Sequence, residues 1–168
     1  MSVREDRVGL LDGTTGIYGV VDKSDFALVI PREHGGVWLV QQFRYPIGRR
    51  VWEFPQGSWG GEPGGDQPAL ARAELAQETG LAAEELVHLG HLFGAYGFCS
   101  QAFDVFLATG LSVGRPDRER TERDMIHRFV TEADLVQMIH DGEVVDAASI
   151  AAYALLLLRE SPGPVRPD

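Results

Sequence analysis

From Pro55 to Gly65 the chain carries five glycines, Gly57, Gly60, Gly61, Gly64 and Gly65, and then passes at once into a helical pattern. Asp66 is a suitable N-cap and Pro68 is tolerated in the first turn behind it. Ala69 to Thr79 consists mostly of helix formers, and Gly80 supplies the stop. This loop-to-helix unit lies between strand-patterned segments, which limits the architecture more than any other feature. Upstream, Ile17 to Val21, Phe26 to Ile30 and Val37 to Phe43 are rich in β-branched and aromatic residues. His34-Gly35-Gly36 suggests a hairpin between the second and third of these, and Val51 to Phe54 is a shorter apolar piece. Downstream, Leu86 to Phe93, Ala102 to Ala108 and Met125 to Val130 read as strands. Glu132 to His140 and Asp146 to Arg159 read as two closing helices parted by Asp141-Gly142. One helix among strands and two at the end predict an α+β fold, a mixed β-sheet sandwiched by helices.

The 168 residues fit one domain, expected over residues 1–160, with N-terminal strands at about 14–31 and a core from about 36 to 160. Ser161 to Asp168 is Pro-rich and is expected to be a disordered tail. No internal repeat is visible.

A net charge of −10 and a pI near 4.9 disfavour nucleic-acid polymers and anionic membranes as partners. A small anionic substrate stays compatible with that charge if arginines gather locally and divalent cations offset the carboxylates. The longest apolar stretch, Ile150 to Leu158, is interrupted by Tyr153 and is too short to span a bilayer. The single cysteine, Cys99, cannot form an intrachain disulfide. Met1 to Asp12 is charged and does not resemble a signal peptide. A cytoplasmic location is expected.

Within the predicted helix, Glu74 and Glu78 are four residues apart and project from one face about one turn apart. Hard cations such as Mg²⁺ are usually held by one or two carboxylates together with substrate phosphates. On its own such a pair is the pattern of an exposed, solvated helix face. Three neighbours argue for more. Leu75, between the acids, can anchor the helix; Gly80 ends it just beyond the second acid; and the glycine-rich loop offers backbone groups close to both carboxylates. None of His34, His88, His91, His127 or His140 has convincing metal-ligand spacing.

Arg72-Ala73-Glu74-Leu75-Ala76-Gln77-Glu78-Thr79-Gly80-Leu81 resembles the Nudix box, Gly-x5-Glu-x7-Arg-Glu-U-x-Glu-Glu-x-Gly-U, where U is bulky and aliphatic. Glu74, Leu75, Glu78, Gly80 and Leu81 match in register. Ala73 stands at the arginine position, Gln77 at the first of the paired glutamates, and Glu62 aligns with the loop glutamate only if gaps are allowed. Arg72, one residue away, is rotated about 100° around the helix and does not replace the missing arginine. Gln77 keeps an oxygen donor but loses a charge. The flanks, Gln41 to Pro46, Val51 to Gly57 and Asp141 to Ala151, are similar to the ADP-ribose and nucleotide-sugar pyrophosphatase branch of that family.

The resemblance implies an α/β/α sandwich and hydrolysis of the pyrophosphate bond of a nucleoside diphosphate derivative. The cofactor would be Mg²⁺, with Mn²⁺ as a substitute, and the assembly a homodimer joined through N-terminal strands. Glu74, Glu78 and the Gln56 backbone carbonyl would hold the metal. Arg44 would contact the substrate diphosphate, a task suited to a guanidinium fork. Gln42 and Glu53 join Arg44 in the substrate-binding set, Glu53 also supporting the metal site. The water activator would be an acid of the charged loop Arg115 to Asp124, with Glu122 nearest the matching point and Glu119 the alternative. Trp52 and Trp59 are candidates to flank a base, core packing explaining Trp52 equally well. Tyr96, sixteen residues past Gly80, stands where the branch carries a proline. It and Phe54-Pro55-Gln56-Gly57 are similar to dinucleoside polyphosphate hydrolases, which keeps that activity open. The Ala73 and Gln77 departures leave a catalytically weak nucleotide-binding module as a further alternative.

Overall fold

Ala27, Leu28, Val29 and Ile30 are all inaccessible to solvent. A strand buried on both faces must lie at the centre of a layered fold. The computed structural model describes residues 1–59, 65–118 and 122–161. It places these four residues in β3 (Phe26–Glu33), which runs parallel to β8 (Ala102–Val113), whereas the other strand pairs are antiparallel. β7 (Leu81–Phe93) lies on the far side of β8. On the other side of β3 come β4 (Gly36–Arg44) and β5 (Arg49–Glu53), while the short β6 (Gln56–Gly57) pairs with β3 and β9 (Ile126–Thr131) with β4.

The expected hairpin is present. His34 and Gly35 both have positive φ, 48° and 75°, the backbone a two-residue type I′ turn requires. β3 and β4 then pair only at Arg32↔Val37 and Glu33↔Gly36, and beyond that each strand pairs with different neighbours. β3 is thereby left to pair with the β6 segment that leads toward the first helix.

That helix, α1 (Gln67–Thr79), packs on Ala27, Val29, Phe106 and Ala108 through Leu70, Ala71 and Leu75. α2 (Glu132–His140) and α3 (Ala147–Glu160) cover the opposite face with Leu135, Met138, Tyr153 and Leu156, against Leu28, Ile30, Leu39 and Phe103. The mixed sheet between helices is the arrangement the sequence predicted. The caps agree too: Asp66 accepts the Ala69 N–H at 3.2 Å, and Gly80 ends α1 in the left-handed conformation. Thr131 and Asp134 form a capping box at α2.

Two features differ from the sequence reading. Residues 2–9 form β1 (Ser2–Gly9), paired with β2 (Thr15–Asp22) in a separate two-stranded sheet. Its side chains are almost all exposed, so no apolar alternation marked it. β7 and β8 also run farther than expected, paired from Leu81↔Val113 onward, with a bulge between His88 and Gly90. There the helix-forming run Ala82 to Glu85 yields to cross-strand pairing. The expected tail lies outside the described residues beyond Ser161. No helix among the described residues is long and apolar enough to cross a membrane.

Candidate active site

Glu74 and Glu78 do share one side of α1, but that side is not solvated. Glu78 is 0% exposed and Glu74 9%, so the expectation of an exposed helix face is corrected. The cause is the chain folded over the helix. β6 brings the Gln56 N–H to Glu78 Oε2 at 3.1 Å. A Cβ added to Gly57 would lie 2.4 Å from the Glu74 carboxyl carbon, so the loop approaches this acid only because residue 57 has no side chain.

Glu78 is the electrostatic centre of the group. Burial raises its pKa well above the ordinary carboxylate value, and the charges of Glu74, Glu122 and Glu53 add to the rise, against the opposing Gln56 N–H. Its Oε1 is buried without a hydrogen-bond partner among the described residues. A buried carboxylate oxygen in this position calls for a proton or a cation.

Glu53, at the end of β5, is likewise buried. It accepts Arg44 Nη2 at 2.5 Å, Arg44 Nε at 3.1 Å and Gln42 Nε2 at 2.7 Å. Gln42 and Arg44 alternate with Phe43 and so share a face of β4, which brings both to one carboxylate. Burial outweighs Arg44 here, and the Glu53 pKa is raised. Arg44 remains partly exposed and lines two clefts. One, of about 230 Å³, runs past Gln56 and Gly57; the other, of about 370 Å³, runs past Glu53 and Asp146.

Asp146 and Ser149 belong to the site although sequence reading placed them only at the start of a helix. Asp146 Oδ2 caps α3 by accepting the Ser149 N–H at 2.8 Å and the Ser149 hydroxyl at 2.7 Å. The same oxygen accepts Gln56 Nε2 at 3.0 Å, and Ser149 Oγ accepts the Phe54 N–H at 2.9 Å. The segment that reaches Glu78 is thus pinned at both ends to α3. Ser149→Ala leaves the buried Phe54 N–H unsatisfied and is expected to cost about 1–3 kcal/mol of stability. Denaturant melts measure this, and an unchanged midpoint would count against the pin.

The charged loop before β9 closes the other side. Gly114 N–H reaches the Gly80 carbonyl at 2.7 Å, Asp117 N–H the Gln77 carbonyl at 3.1 Å, and Arg118 Nε the Glu78 carbonyl at 3.0 Å. Arg118 also bonds the Met125 carbonyl and His127 Nδ1. These bonds hold the loop on the C-terminal turn of α1, and Glu122 lies close enough for its charge to raise the Glu78 pKa. Glu119 and Glu62 lie outside the described residues.

Other candidates lie elsewhere. Arg72 donates to the Ala83 carbonyl at 2.7 Å. Trp52 is core, with the Arg128 guanidinium 4.3 Å from its ring centroid. Trp59 and Tyr96 are exposed. His88 and His91 of the edge strand β7 both contact Asp104 of β8.

The donors fit a small, hard divalent cation: they are oxygens, they carry excess negative charge, and one buried oxygen has no partner among the described residues. Among the described residues no three His, Cys, Asp or Glu side chains form a ready-made cage. Cations of this class commonly take one or two carboxylates and complete their shell with water and substrate oxygens.

Comparison with known proteins agrees with this geometry. The chain is 35% identical over 153 residues to the ADP-ribose pyrophosphatase of Mycobacterium tuberculosis, spanning 89% of this chain and 73% of that protein. It is 32% identical over 136 residues to the ADP-ribose pyrophosphatase of Bacillus subtilis, spanning 80% and 72%. Its fold matches the crystal structure of an ADP compounds hydrolase with a TM-score of 0.82 at 17% identity, over 92% of this chain and 83% of that one. The NUDIX domain family pattern matches residues 22–166, and the chain belongs to that family as a Nudix hydrolase.

Proposed function

We propose that this chain hydrolyses the pyrophosphate bond of ADP-ribose or a closely related nucleotide sugar, releasing a nucleoside monophosphate and a phosphorylated remainder. The observation that carries the reading is Glu78, buried among Glu74, Glu122 and Glu53 with one oxygen unpartnered among the described residues. The two ADP-ribose pyrophosphatases among the relatives support the substrate. Nudix hydrolases use divalent cations; here the cation would be Mg²⁺, with Mn²⁺ able to replace it, and Glu74, Glu78 and the Gln56 carbonyl would hold it. Bound there, it would neutralise charge on the substrate phosphate oxygens.

The side chains divide the remaining work. Arg44, oriented by Glu53 and Gln42, steadies the diphosphate. The Glu122 carboxylate takes a proton from the attacking water as its oxygen bonds to one phosphorus, and the bridging oxygen leaves with the other phosphate. Asp146 and Ser149 keep Gln56 in place. The test is incubation with ADP-ribose, a nucleotide sugar and a dinucleoside polyphosphate, with Mg²⁺ or Mn²⁺, followed by product chromatography. The expected result is fastest release of nucleoside monophosphate from ADP-ribose. Binding without product would make the chain a nucleotide-binding module, and preference for the dinucleoside polyphosphate would reassign the substrate.

The working form is a homodimer. A two-stranded hairpin is marginal in water; β1–β2 forms a sheet separate from the main one, held to its own chain through Val21 and Tyr18, with Val3 and Ile17 exposed on one face. Covering these residues with a second copy stabilises the hairpin. Light scattering at micromolar concentration should give twice the 18.4 kDa chain mass, and a monomer would overturn the assembly. Residues 1–160 act as one domain, and the lone cysteine suits a reducing cytoplasm.

A further inference from the structure

Two cations line the cleft that passes Gln56 and Gly57, Arg44 and Lys23. Arg44 is bound bidentately to the buried Glu53, so much of its charge is already neutralised. Lys23 is the only lysine in the sequence. It is exposed, and its ammonium makes no ion pair among the described residues.

Its position is nevertheless fixed. The Val21 N–H bonds the Phe98 carbonyl at 2.8 Å, and the Ser100 N–H bonds the Val21 carbonyl at 3.0 Å. On the other side, Gln101 Nε2 bonds the Ser24 carbonyl at 2.6 Å, and the Ala102 N–H bonds Asp25 at 2.7 Å. Lys23 thus has an anchored backbone and an ammonium without an ion pair among the described residues, in a cleft lined by Gln56 and Gly57, which pack on Glu78 and Glu74. A lysine ammonium is a compact charge with three donors, suited to phosphate oxygens whose orientation is set by other groups.

We infer that Lys23 is a substrate-binding residue that takes the diphosphate oxygens in the cleft it lines with Arg44, adding to the positive charge that Arg44 shares with Glu53. The inference rests on the pyrophosphatase reading, and two measurements keep the two apart. In the first, ADP-ribose hydrolysis is compared between the unaltered chain, Lys23→Met and Lys23→Arg. Loss of one charge-assisted contact should raise KM about 10- to 100-fold in Lys23→Met with kcat nearly unchanged, and Lys23→Arg should recover most of the loss. Equal KM in Lys23→Met and the unaltered chain overturns the inference and leaves the activity standing.

The second measurement does not depend on turnover. Lys23 is the only lysine of the sequence, so reductive methylation followed by mass spectrometry reads it directly. With Mg²⁺ present, methylene diphosphonate at about ten times its calorimetric Kd should slow Lys23 labelling about tenfold, in proportion to the free fraction. Labelling that is indifferent to the diphosphonate overturns the inference. If the unaltered chain fails to cleave ADP-ribose, the substrate reading falls, and this protection measurement alone decides for or against Lys23.

Discussion

Glu78→Gln is expected to lower hydrolysis about 10³-fold or more, in keeping with the loss of a principal electrostatic element of a catalytic site, without unfolding the protein. Glutamine keeps the shape and can still accept the Gln56 N–H, but it offers the cation no charge. The same variant has a signature in stability. Folding raises the Glu78 pKa above its ordinary 4.5, so in metal-free protein the folded state holds this proton more tightly than the unfolded state. Stability is therefore lost as pH climbs from the ordinary carboxylate range through the raised folded value. Melts in chelator across that range should show this decline in the unaltered chain and a flatter one in Glu78→Gln. Glu53, also raised, keeps part of the slope in both. Near-normal activity of Glu78→Gln across Mg²⁺ concentrations would overturn the assignment.

The second large effect belongs to Glu122. A base acts mainly in the transition state, so Glu122→Gln should lower kcat by about 10²–10⁴-fold with KM and metal affinity nearly constant. Glu119→Gln should do much less. The geometry supports Glu122: Arg118, Asp117 and Gly114 tie the chain before β9 to the end of α1, and the Glu122 charge reaches Glu78. A small kcat effect at Glu122 would remove this residue from the mechanism, and if neither acid matters the water is activated by the metal alone or by a residue outside the loop.

Elements with local signals were legible in the sequence. α1 is bounded by Asp66 and Gly80, and α2 begins at a capping box, so both could be read from a few adjacent residues. β1 could not, because its side chains face solvent and its pairing with β2 needs no apolar pattern. In the site, spacing and family resemblance singled out the two acids of α1. Their burial was invisible, since it comes from chain segments on either side of the helix that fold over it. The Gln56–Asp146 bond joins residues 90 positions apart, and nothing near either residue announces the other. The same holds for Lys23, whose neighbourhood exists only once β3 and β8 run side by side.

The two faces of β3 are unequal. Leu28 and Ile30 fill one side, whereas Ala27 and Val29, with Ala108 and Phe106 beside them, form the floor beneath α1. That floor fixes the height of the helix above the sheet, and hence the elevation at which Glu74 meets Gly57, where there is no room for even one added carbon. A methyl group added to the floor would tilt or lift both carboxylates together. The fine tuning of a charged site is therefore written partly in aliphatic residues that no ligand ever touches.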